Sequence, residues 1–211
     1  MLIVVVGLQF EARIAAGEGM HVISRCDSPT LAAVIARAVV KDSAGLVSFG
    51  VAGGLSPSLS PGSCVVASEI FSGTSRLMTD RSWSQSLLHA IPNAIYGGIV
   101  GVPTPIAYPE AKRALYADCG AVAVDMESHV VASVAAANDL PFAAIRVITD
   151  PADRAVPQVA LAAMRPNGTV SIAAMIRSIM KHPNELGALM QTTRDVVAAR
   201  AALRRARQAL G

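Results

Sequence analysis

The segment 122–150 constrains the fold of this chain most, because two short apolar runs there enclose an amphipathic run. The pattern predicts a strand, a helix and a strand at residues 122–124, 126–138 and 142–149. Short apolar strands on either side of a helix are typical of a parallel sheet that is covered on both faces. Glu127 lies where the first strand turns into the helix, and Asp150 follows the second strand. Since ligands bind at the carboxyl ends of strands in open parallel sheets, we expect both carboxylates at one rim.

The rest of the chain continues this alternation of apolar strands and amphipathic helices. Further strands are predicted at residues 2–6, 20–24, 46–49, 63–70 and 95–100. Further helices are predicted at residues 10–16, 30–40, 108–116, 170–181 and 185–210, and another ends at residues 87–91. Alternation at this spacing predicts a three-layer α/β domain. We assign residues 1–181 to that domain and residues 182–211 to a basic C-terminal helical extension, packed on the domain or extending from it.

The composition argues against several classes of protein. Hydrophobic residues make up 53% of the 211 residues, but no run of about 18 residues is uninterruptedly apolar, so a membrane-spanning helix is not expected. The run MLIVVVG at the amino terminus lacks the basic flank of a signal peptide, which predicts a cytoplasmic protein. Three widely spaced cysteines, and histidines without a partner pattern, predict neither a disulfide framework nor a metal site. Aromatic residues are only 4% of the chain and the basic residues cluster on the tail, so nucleic acid is not an expected partner.

Two motifs of the central segment and one glycine-rich run are specific enough to suggest a family. Residues 124–128 are VDMES, residues 146–153 are RVITDPAD, and residues 50–55 are GVAGGL. Together they resemble the signature of the purine nucleoside phosphorylase and methylthioadenosine/S-adenosylhomocysteine nucleosidase superfamily. The resemblance is greatest to its hopanoid-associated branch, which removes adenine from adenosylhopane. It implies a nucleoside phosphorylase-like fold in which a central, mostly parallel but mixed sheet is flanked by helices. It also implies a homodimer and an enzyme without a cofactor, with inorganic phosphate as co-substrate if the bond is cleaved by phosphorolysis.

Cleavage of an N-glycosidic bond separates a purine anion from a ribosyl cation. A protein can therefore protonate the base, hold the ribose and deliver a nucleophile to C1′. The resemblance implies that Asp150 acts at the purine N7, while Glu127 binds the two ribose hydroxyls and Met126 lies against the sugar. Two alternatives stay open. Asp150 could cap the segment that starts at Pro151, and Glu127 could be an acid favoured by the helix dipole in a first turn.

The nucleophile is an open question at this stage. The residues that match the superfamily's phosphate- and ribose-binding loop are Gly50, Val51, Ala52 and Gly53. Backbone amides at such a glycine-rich strand end can approach an anion closely. However, the arginine that binds phosphate in the family is replaced here by Ser48, so that charge would have to come from Arg13, Arg25 or Arg81.

Glu11 favours water as the nucleophile. It lies shortly after the first strand, near the place where the nucleosidases of the superfamily have a glutamate that positions the attacking water. A carboxylate there suits water activation and repels phosphate. The alternative is that Glu11 is a solvated helix acid. The sequence therefore leaves both phosphorolysis and hydrolysis open.

The residues expected to contact the purine base carry a less specific signal. Pro105 and Ile106 stand where the family has a purine-stacking aromatic, so an apolar clamp on adenine is expected there. Arg146 lies inside a buried strand, and we expect it to pair with Asp125 or Glu127 rather than with substrate.

Two features bear on the size of the substrate. The polar stretch 72–86 is shorter than the region that covers the 5′ group in the small-substrate nucleosidases, which leaves the 5′ side open. The tail carries a series of arginines, namely Arg194, Arg200, Arg204, Arg205 and Arg207. A basic helix of this kind can lie on anionic lipid, although an ordinary solvated helix is an equal alternative. Both features suit a lipid-linked nucleoside.

Two rival functions remain. A methylthioadenosine/S-adenosylhomocysteine nucleosidase would share the fold and both carboxylates. A non-catalytic nucleoside-binding protein would bind adenine or a nucleoside without turnover, and would be indifferent to Asp150→Asn.

Overall fold

A computed structural model describes residues 1–24, 28–163, 178, 181, 184 and 186–211 of the chain. The predicted helix at residues 170–181 lies outside the described residues, apart from residues 178 and 181. Arg25, one of the three candidate phosphate ligands, also lies outside them.

Eight strands and seven α-helices are formed by the described residues. The strands are β1 (Leu2–Val6), β2 (Met20–Ser24), β3 (Gly45–Gly54), β4 (Cys64–Ser72), β5 (Ser75–Met78), β6 (Ile95–Gly101), β7 (Ala123–Asp125) and β8 (Phe142–Asp150). The helices are α1 (Gln9–Ala15), α2 (Ser28–Ala38), α3 (Arg81–Ala90), α4 (Pro109–Cys119), α5 (Ser128–Ala137), α6 (Gln158–Ala163) and α7 (Leu186–Arg207), followed by a 3₁₀ turn at Gln208–Leu210. The central strand–helix–strand unit, β7–α5–β8, is therefore confirmed.

The strands form one mixed sheet, as the resemblance implies. β1 lies between β2 and β3, and β3 pairs with β8, all in parallel. β8 then pairs antiparallel with β4, β4 pairs parallel with β6, and β6 pairs parallel with β7. Finally β7 returns to β3 in a short antiparallel contact at Gly53 and Gly54. The strands β3, β8, β4, β6 and β7 thus close into a ring, and the carboxyl ends of β3 and β8 lie together at one rim.

The two faces of the sheet are covered by different helices, which gives three layers. Alternate residues of a strand point to opposite faces. Accordingly Ile3 and Val5 of β1 pack in a core cluster with residues of α2 and α5. Their neighbours Val4 and Val6 pack in a second cluster that includes residues of α7. The prediction of an α/β fold with a mixed sheet flanked by helices is confirmed.

The carboxyl-terminal helix α7 packs on the sheet along its small apolar side chains. Ala199, Leu203 and Ala206 are fully buried in the second cluster, whereas Arg204 and Arg205 are exposed. In the parts of the chain that the structure describes, no helix combines the length and the apolar character needed to cross a membrane.

One local prediction was wrong, and one strand was not predicted. The glycine-rich residues 50–53 were expected to form a loop after a strand at 46–49, but β3 continues to Gly54. The reason is that β8 pairs along one side of this segment and β7 pairs at its end. No strand was predicted in the polar stretch 72–86, but it contains β5, which pairs back on β4 after a tight turn at Gly73. The positive φ of 56° at Gly73 is of the kind that favours glycine.

Candidate active site

Glu11 is a buried carboxylate held by backbone donors. Its side chain leaves the first turn of α1 and is only 2% exposed. Oε2 accepts hydrogen bonds from the backbone N–H groups of Gly7 at 2.9 Å and Leu8 at 2.7 Å, and Oε1 accepts one from Val51 at 2.7 Å. Burial raises the pKa of Glu11 above its ordinary value, although Arg146 and the three backbone donors oppose the rise. The alternative of a solvated helix acid is therefore wrong.

Two glycines make room for the carboxylates at the ends of neighbouring strands. A Cβ atom on Gly50 would lie 2.6 Å from Oε1 of Glu11, and a Cβ atom on Gly7 would lie 2.6 Å from Oε1 of Glu127. Gly7 follows β1 and Gly50 lies inside β3, each two residues beyond Val5 and Ser48, the last pair that joins β1 to β3. The bare backbone where β1 and β3 part therefore brings Glu11 and Glu127 together.

Arg146 is the counter-charge of this group. The guanidinium is 1% exposed and donates from Nε to Oδ2 of Asp125, as expected from the sequence. A second nitrogen lies 3.6 Å from Oε2 of Glu127 and donates to Oγ of Ser48 at 2.7 Å. Ser48, where the resemblance led us to expect a phosphate-binding arginine, thus holds another arginine in place. We call Glu11, Asp125, Glu127 and Arg146 the acid cluster.

The acid cluster contains three carboxylates for one guanidinium. Burial raises the pKa of Glu127, and the charges of Asp125 and Glu11 raise it further, while Arg146 opposes the rise. Removal of a carboxylate from water disfavours its ionised form, so the Glu127 side chain readily takes up a proton.

Glu127 is not used to cap α5. It is the residue before the helix, but its side chain makes no capping hydrogen bond. Asp125 supplies that bond instead, because its Oδ1 accepts from the backbone N–H of Ser128 at 3.2 Å and from the Ser128 hydroxyl at 2.6 Å. The Glu127 carboxylate is therefore directed towards Gly7 and Arg146, and Met126 beside it is half-buried.

Asp150 has a different partner, Lys112, which sequence reasoning missed. Lys112 Nζ donates to Oδ2 of Asp150 at 2.7 Å, and the Thr149 hydroxyl donates to Oδ1 at 3.0 Å. The ammonium also donates to the carbonyls of Pro151 at 2.9 Å and Arg154 at 3.0 Å. Burial raises the pKa of Asp150, and the charge and hydrogen bond of Lys112 oppose the rise.

A sequence signal for Lys112 did exist. Lys112 precedes Leu115 and Cys119 by three and seven positions, a spacing that places all three on one face of α4. Leu115 and Cys119 pack against a small core cluster, and Lys112 is 0% exposed. A lysine on the apolar face of a helix needs a buried acid as its partner.

The acid cluster and Asp150 lie at the same rim. Gly53 contacts the Asp150 carboxylate, since a Cβ atom there would lie 3.0 Å from Oδ2. Gly50 contacts Glu11 in the same way. Three residues of strand span about 10 Å at about 3.3 Å per residue, a separation of the order of one nucleoside. The structure therefore brings Glu11, Glu127 and Asp150 to one end of β3.

The remaining candidates are placed as follows. Ile106, in the loop between β6 and α4, is half-buried and packs against the same small cluster as Leu115. Pro105 next to it is exposed. Arg13 lines a separate cavity between α1 and α7. Arg81 follows Asp80, whose backbone N–H donates to Phe142 at the amino end of β8, so Arg81 lies at the end opposite Asp150.

The same fold occurs in solved nucleosidases. The 5′-methylthioadenosine/S-adenosylhomocysteine nucleosidase of Colwellia psychrerythraea, solved with adenine, has a TM-score of 0.65 at 15% identity and covers 96% of this chain and 95% of its own. The futalosine hydrolase of Helicobacter pylori has a TM-score of 0.64 at 16% identity, covering 86% and 97%. The 5′-methylthioadenosine/S-adenosylhomocysteine nucleosidase of that organism has a TM-score of 0.62 at 17% identity, also covering 86% and 97%. Identities this low show a shared fold only.

The sequence comparison identifies the family. No curated protein matches the chain. The family described as the phosphorylase superfamily matches residues 7–179, which include Glu11, Glu127 and Asp150. Since that match spans most of the chain, the protein belongs to the phosphorylase superfamily.

Proposed function

We propose that this enzyme hydrolyses the N-glycosidic bond of a purine nucleoside and releases adenine. The observation that carries the proposal is the position of Glu11, a buried carboxylate fixed by three backbone N–H groups at the rim where Glu127 and Asp150 also lie. A carboxylate held in this way can orient a water molecule and accept its proton as the water attacks C1′.

Water suits this site better than phosphate as the nucleophile. In a phosphate-binding loop the backbone amides are free to bind the anion, but here the Val51 amide already donates to Glu11. A phosphate at this point would also meet the negative charge of Glu11, and like charges repel strongly where water is excluded. Arg146, the cation nearest to Glu11, is already paired with Asp125 and Glu127.

The other carboxylates have complementary roles in the proposed reaction. Asp150 donates a proton, or shares one, at the purine N7 as the base leaves. The rise in its pKa through burial favours the protonated form that this role needs. Glu127 accepts hydrogen bonds from the two ribose hydroxyls, with Met126 against the sugar. Pro105 and Ile106 form the apolar side of the base site.

Adenine release with and without inorganic phosphate tests the nucleophile. We expect the same rate in both conditions, with free ribose rather than ribose 1-phosphate at the sugar end. We expect Glu11→Gln to lower kcat by about 100-fold or more, which is the usual scale of a general base. Glu18→Gln, an exposed acid after the same helix, is the matched control. A rate that depends on phosphate would overturn hydrolysis but leave the cleavage reaction in place.

We propose further that the nucleoside carries a large apolar 5′ group, as adenosylhopane does. The support is the short connection after β4, where the chain turns at Gly73 into β5 and then enters α3. This connection leaves little chain to cover the 5′ side. Adenosylhopane in detergent, methylthioadenosine and S-adenosylhomocysteine should be compared at equal concentration. A higher kcat/KM for either small nucleoside favours the rival function, a methylthioadenosine/S-adenosylhomocysteine nucleosidase.

A substrate of this kind suggests contact with a membrane surface. We propose that the exposed arginines of α7, among them Arg194 and Arg205, provide that contact. Its apolar face is buried against the sheet, so binding should be electrostatic. Co-sedimentation with phosphatidylglycerol vesicles should fall steeply with added salt, and phosphatidylcholine vesicles should not bind. Equal binding to both would overturn the contact.

We also propose that the enzyme is a homodimer. The support is the presence of exposed apolar side chains such as Met78 and Tyr108, which burial against a second copy would remove from water. Light scattering coupled to size-exclusion chromatography measures the mass directly, and a monomer at all concentrations would contradict the proposal.

A further inference from the structure

A second charged cavity lies away from the acid cluster, between α1 and α7. Its volume is about 330 Å³. Four arginines and two apolar residues line it, namely Arg13, Arg200, Arg204, Arg207, Phe10 and Ile14. We call it the arginine cavity.

The guanidinium groups are arranged by specific contacts. Arg207 donates from Nε to the carbonyl of Ala15 at 2.9 Å, which fixes α7 against the end of α1. The guanidinium of Arg200 lies 5.2 Å from the centre of the Phe10 ring. Its Nε is buried and has no hydrogen-bond partner. An unpaired buried donor on a charged group is costly, so this guanidinium would be stabilised by a negative charge in the adjoining cavity.

Neither of the carboxylates carried by α1 and α7 pairs with the arginines of this cavity, although Arg207 donates to the backbone oxygens of Ala15, Ala16 and Gly211. The carboxylate of α1, Glu11, is turned inward to backbone N–H groups. The carboxylate of α7, Asp195, is bound by Arg154 at 2.7 Å. Four cations around one hollow repel each other, and a ligand with two or more negative charges relieves that repulsion.

We propose that the arginine cavity binds a phosphate-bearing anion, such as a pyrophosphate or a phosphate monoester. Guanidinium groups present paired N–H donors that match phosphate oxygens. Arg13 and Arg204 are exposed and line the cavity from opposite helices, and Arg200 adds a further positive charge to its wall. Phe10 and Ile14 give the cavity an apolar wall for the group that carries the phosphate. The site is separate from the proposed nucleoside site, because Arg13 and Glu11 leave α1 in different directions.

Calorimetric titration of the full chain with pyrophosphate, in the absence of nucleoside, tests the proposal. We expect binding by the native protein and a loss of about 10-fold or more in affinity for the pair Arg13→Gln and Arg204→Gln. The pair Arg37→Gln and Arg113→Gln removes the same charge from exposed positions outside both the cavity and the proposed membrane contact. It should leave pyrophosphate affinity within about twofold. Since all four side chains are exposed, unchanged melting temperatures should accompany both variants.

Vesicles distinguish a lipid headgroup from a soluble phosphate. Phosphatidate presents a phosphate monoester, and phosphatidylglycerol presents a diester at matched surface charge. A preference for phosphatidate that the cavity pair abolishes and the control pair retains assigns a lipid headgroup. Pyrophosphate binding without that preference assigns a soluble ligand. Absence of both, or equal losses in the cavity and control pairs, overturns the proposal. The proposed hydrolysis of nucleosides is untouched by either result, because adenine release is measured separately.

Discussion

The acid cluster and the Asp150–Lys112 pair are two buried charge groups at one rim, and they differ in the charges that surround each carboxylate. In the acid cluster three carboxylates share one guanidinium, so that Asp125 and Glu11 push the pKa of Glu127 in the same direction as burial. At Asp150 the charges of Lys112 and Arg154 and the hydroxyl of Thr149 all oppose burial. Both pKa values are raised by burial and both carboxylates have an opposing cation, but Glu127 also has two acidic neighbours that raise its pKa further, whereas Lys112, Thr149 and Arg154 all lower that of Asp150.

This difference suits the two halves of a nucleoside. The ribose carries donor hydroxyls and becomes positively charged in the transition state, so an excess of carboxylates stabilises it. The departing purine becomes negatively charged, so a carboxyl with a lysine behind it is better suited to that end. The proposed assignment of the ribose to Glu127 and the base to Asp150 is consistent with the charge around each.

Removal of Arg146 should cause the largest loss of stability. Arg146→Met leaves three buried carboxylates without a counter-charge, and breaking a buried pair in this way costs about 3–5 kcal/mol. Arg76→Met is the control, because Arg76 pairs with Glu69 at 3.7 Å with its side chain 66% exposed, and such surface pairs contribute about 0–1 kcal/mol. Urea unfolding measures both. If Arg146→Met were as mild as the control, the acid cluster would not depend on its single cation.

Asp150→Asn tests directly whether Asp150 supplies a proton to the departing purine. The amide cannot supply the proton at N7, so we expect kcat for adenine release to fall by about 100- to 10,000-fold. Affinity for a nucleoside analogue should change little, because the side chain keeps its shape. The control is Asp153→Asn, an exposed acid three residues further on. An enzyme that is unaffected by Asp150→Asn would support the non-catalytic, nucleoside-binding alternative if native turnover were also absent.

Lys112→Met should shift the pH profile as well as the rate. Lys112 lowers the pKa of Asp150 against the effect of burial, so its removal raises that pKa further. The protonated form then persists to higher pH, and the alkaline limb of kcat/KM should move upward. Two carbonyls also lose their donor, at a cost of about 1–3 kcal/mol each at most. The control is Arg113→Met on the same helix, since Arg113 is 70% exposed. An alkaline limb that moves downward would contradict the proposed role of Asp150.

The acid cluster and the Asp150–Lys112 pair also differ from the strand–helix–strand unit in how far local sequence could predict them. The unit β7–α5–β8 was predictable because apolar runs and helical periodicity are local properties, and these placed Glu127 and Asp150 at strand ends. Lys112 was missed because its partner Asp150 is 38 residues away, and a single lysine in an amphipathic helix is usually solvated. The roles of Glu11, Glu127 and Asp150 remain predictions.

Strand pairing was the other limit. β7 pairs with β3 through residues that are distant in sequence. β5, which pairs with β4, lacks a strong alternation of apolar and polar residues. Nothing in residues 50–54 themselves indicates that strands will pair on both sides. The same pairing determines why Gly50 stands beside Glu11, so the arrangement of the acid cluster could not be derived before the topology was known.

Glu127→Gln should give the most specific effect, a stability difference that grows with pH. In the unfolded chain Glu127 ionises near its ordinary pKa of 4.5, whereas burial and its acidic neighbours raise the pKa in the folded state. The folded protein therefore holds the proton more tightly, and native stability is lost as the pH rises from the unfolded pKa towards the folded one. The glutamine variant cannot ionise. Above the unfolded pKa, its free energy of unfolding should therefore exceed that of the native protein by up to about 1.4 kcal/mol for each unit of pKa shift.

Urea unfolding at about pH 5 and about pH 8, within the range where folded proteins are commonly most stable, measures this difference. Glu110→Gln is the control, because the Glu110 side chain is 76% exposed and pairs with Arg113 on the surface at 3.3 Å. Its stability difference from the native protein should not change with pH. If Glu127→Gln behaved like this control, the three carboxylates would not be competing for one guanidinium. The distinction between a crowded acid cluster and a balanced Asp150–Lys112 pair would then be lost, and with it the electrostatic reason for placing the ribose at Glu127.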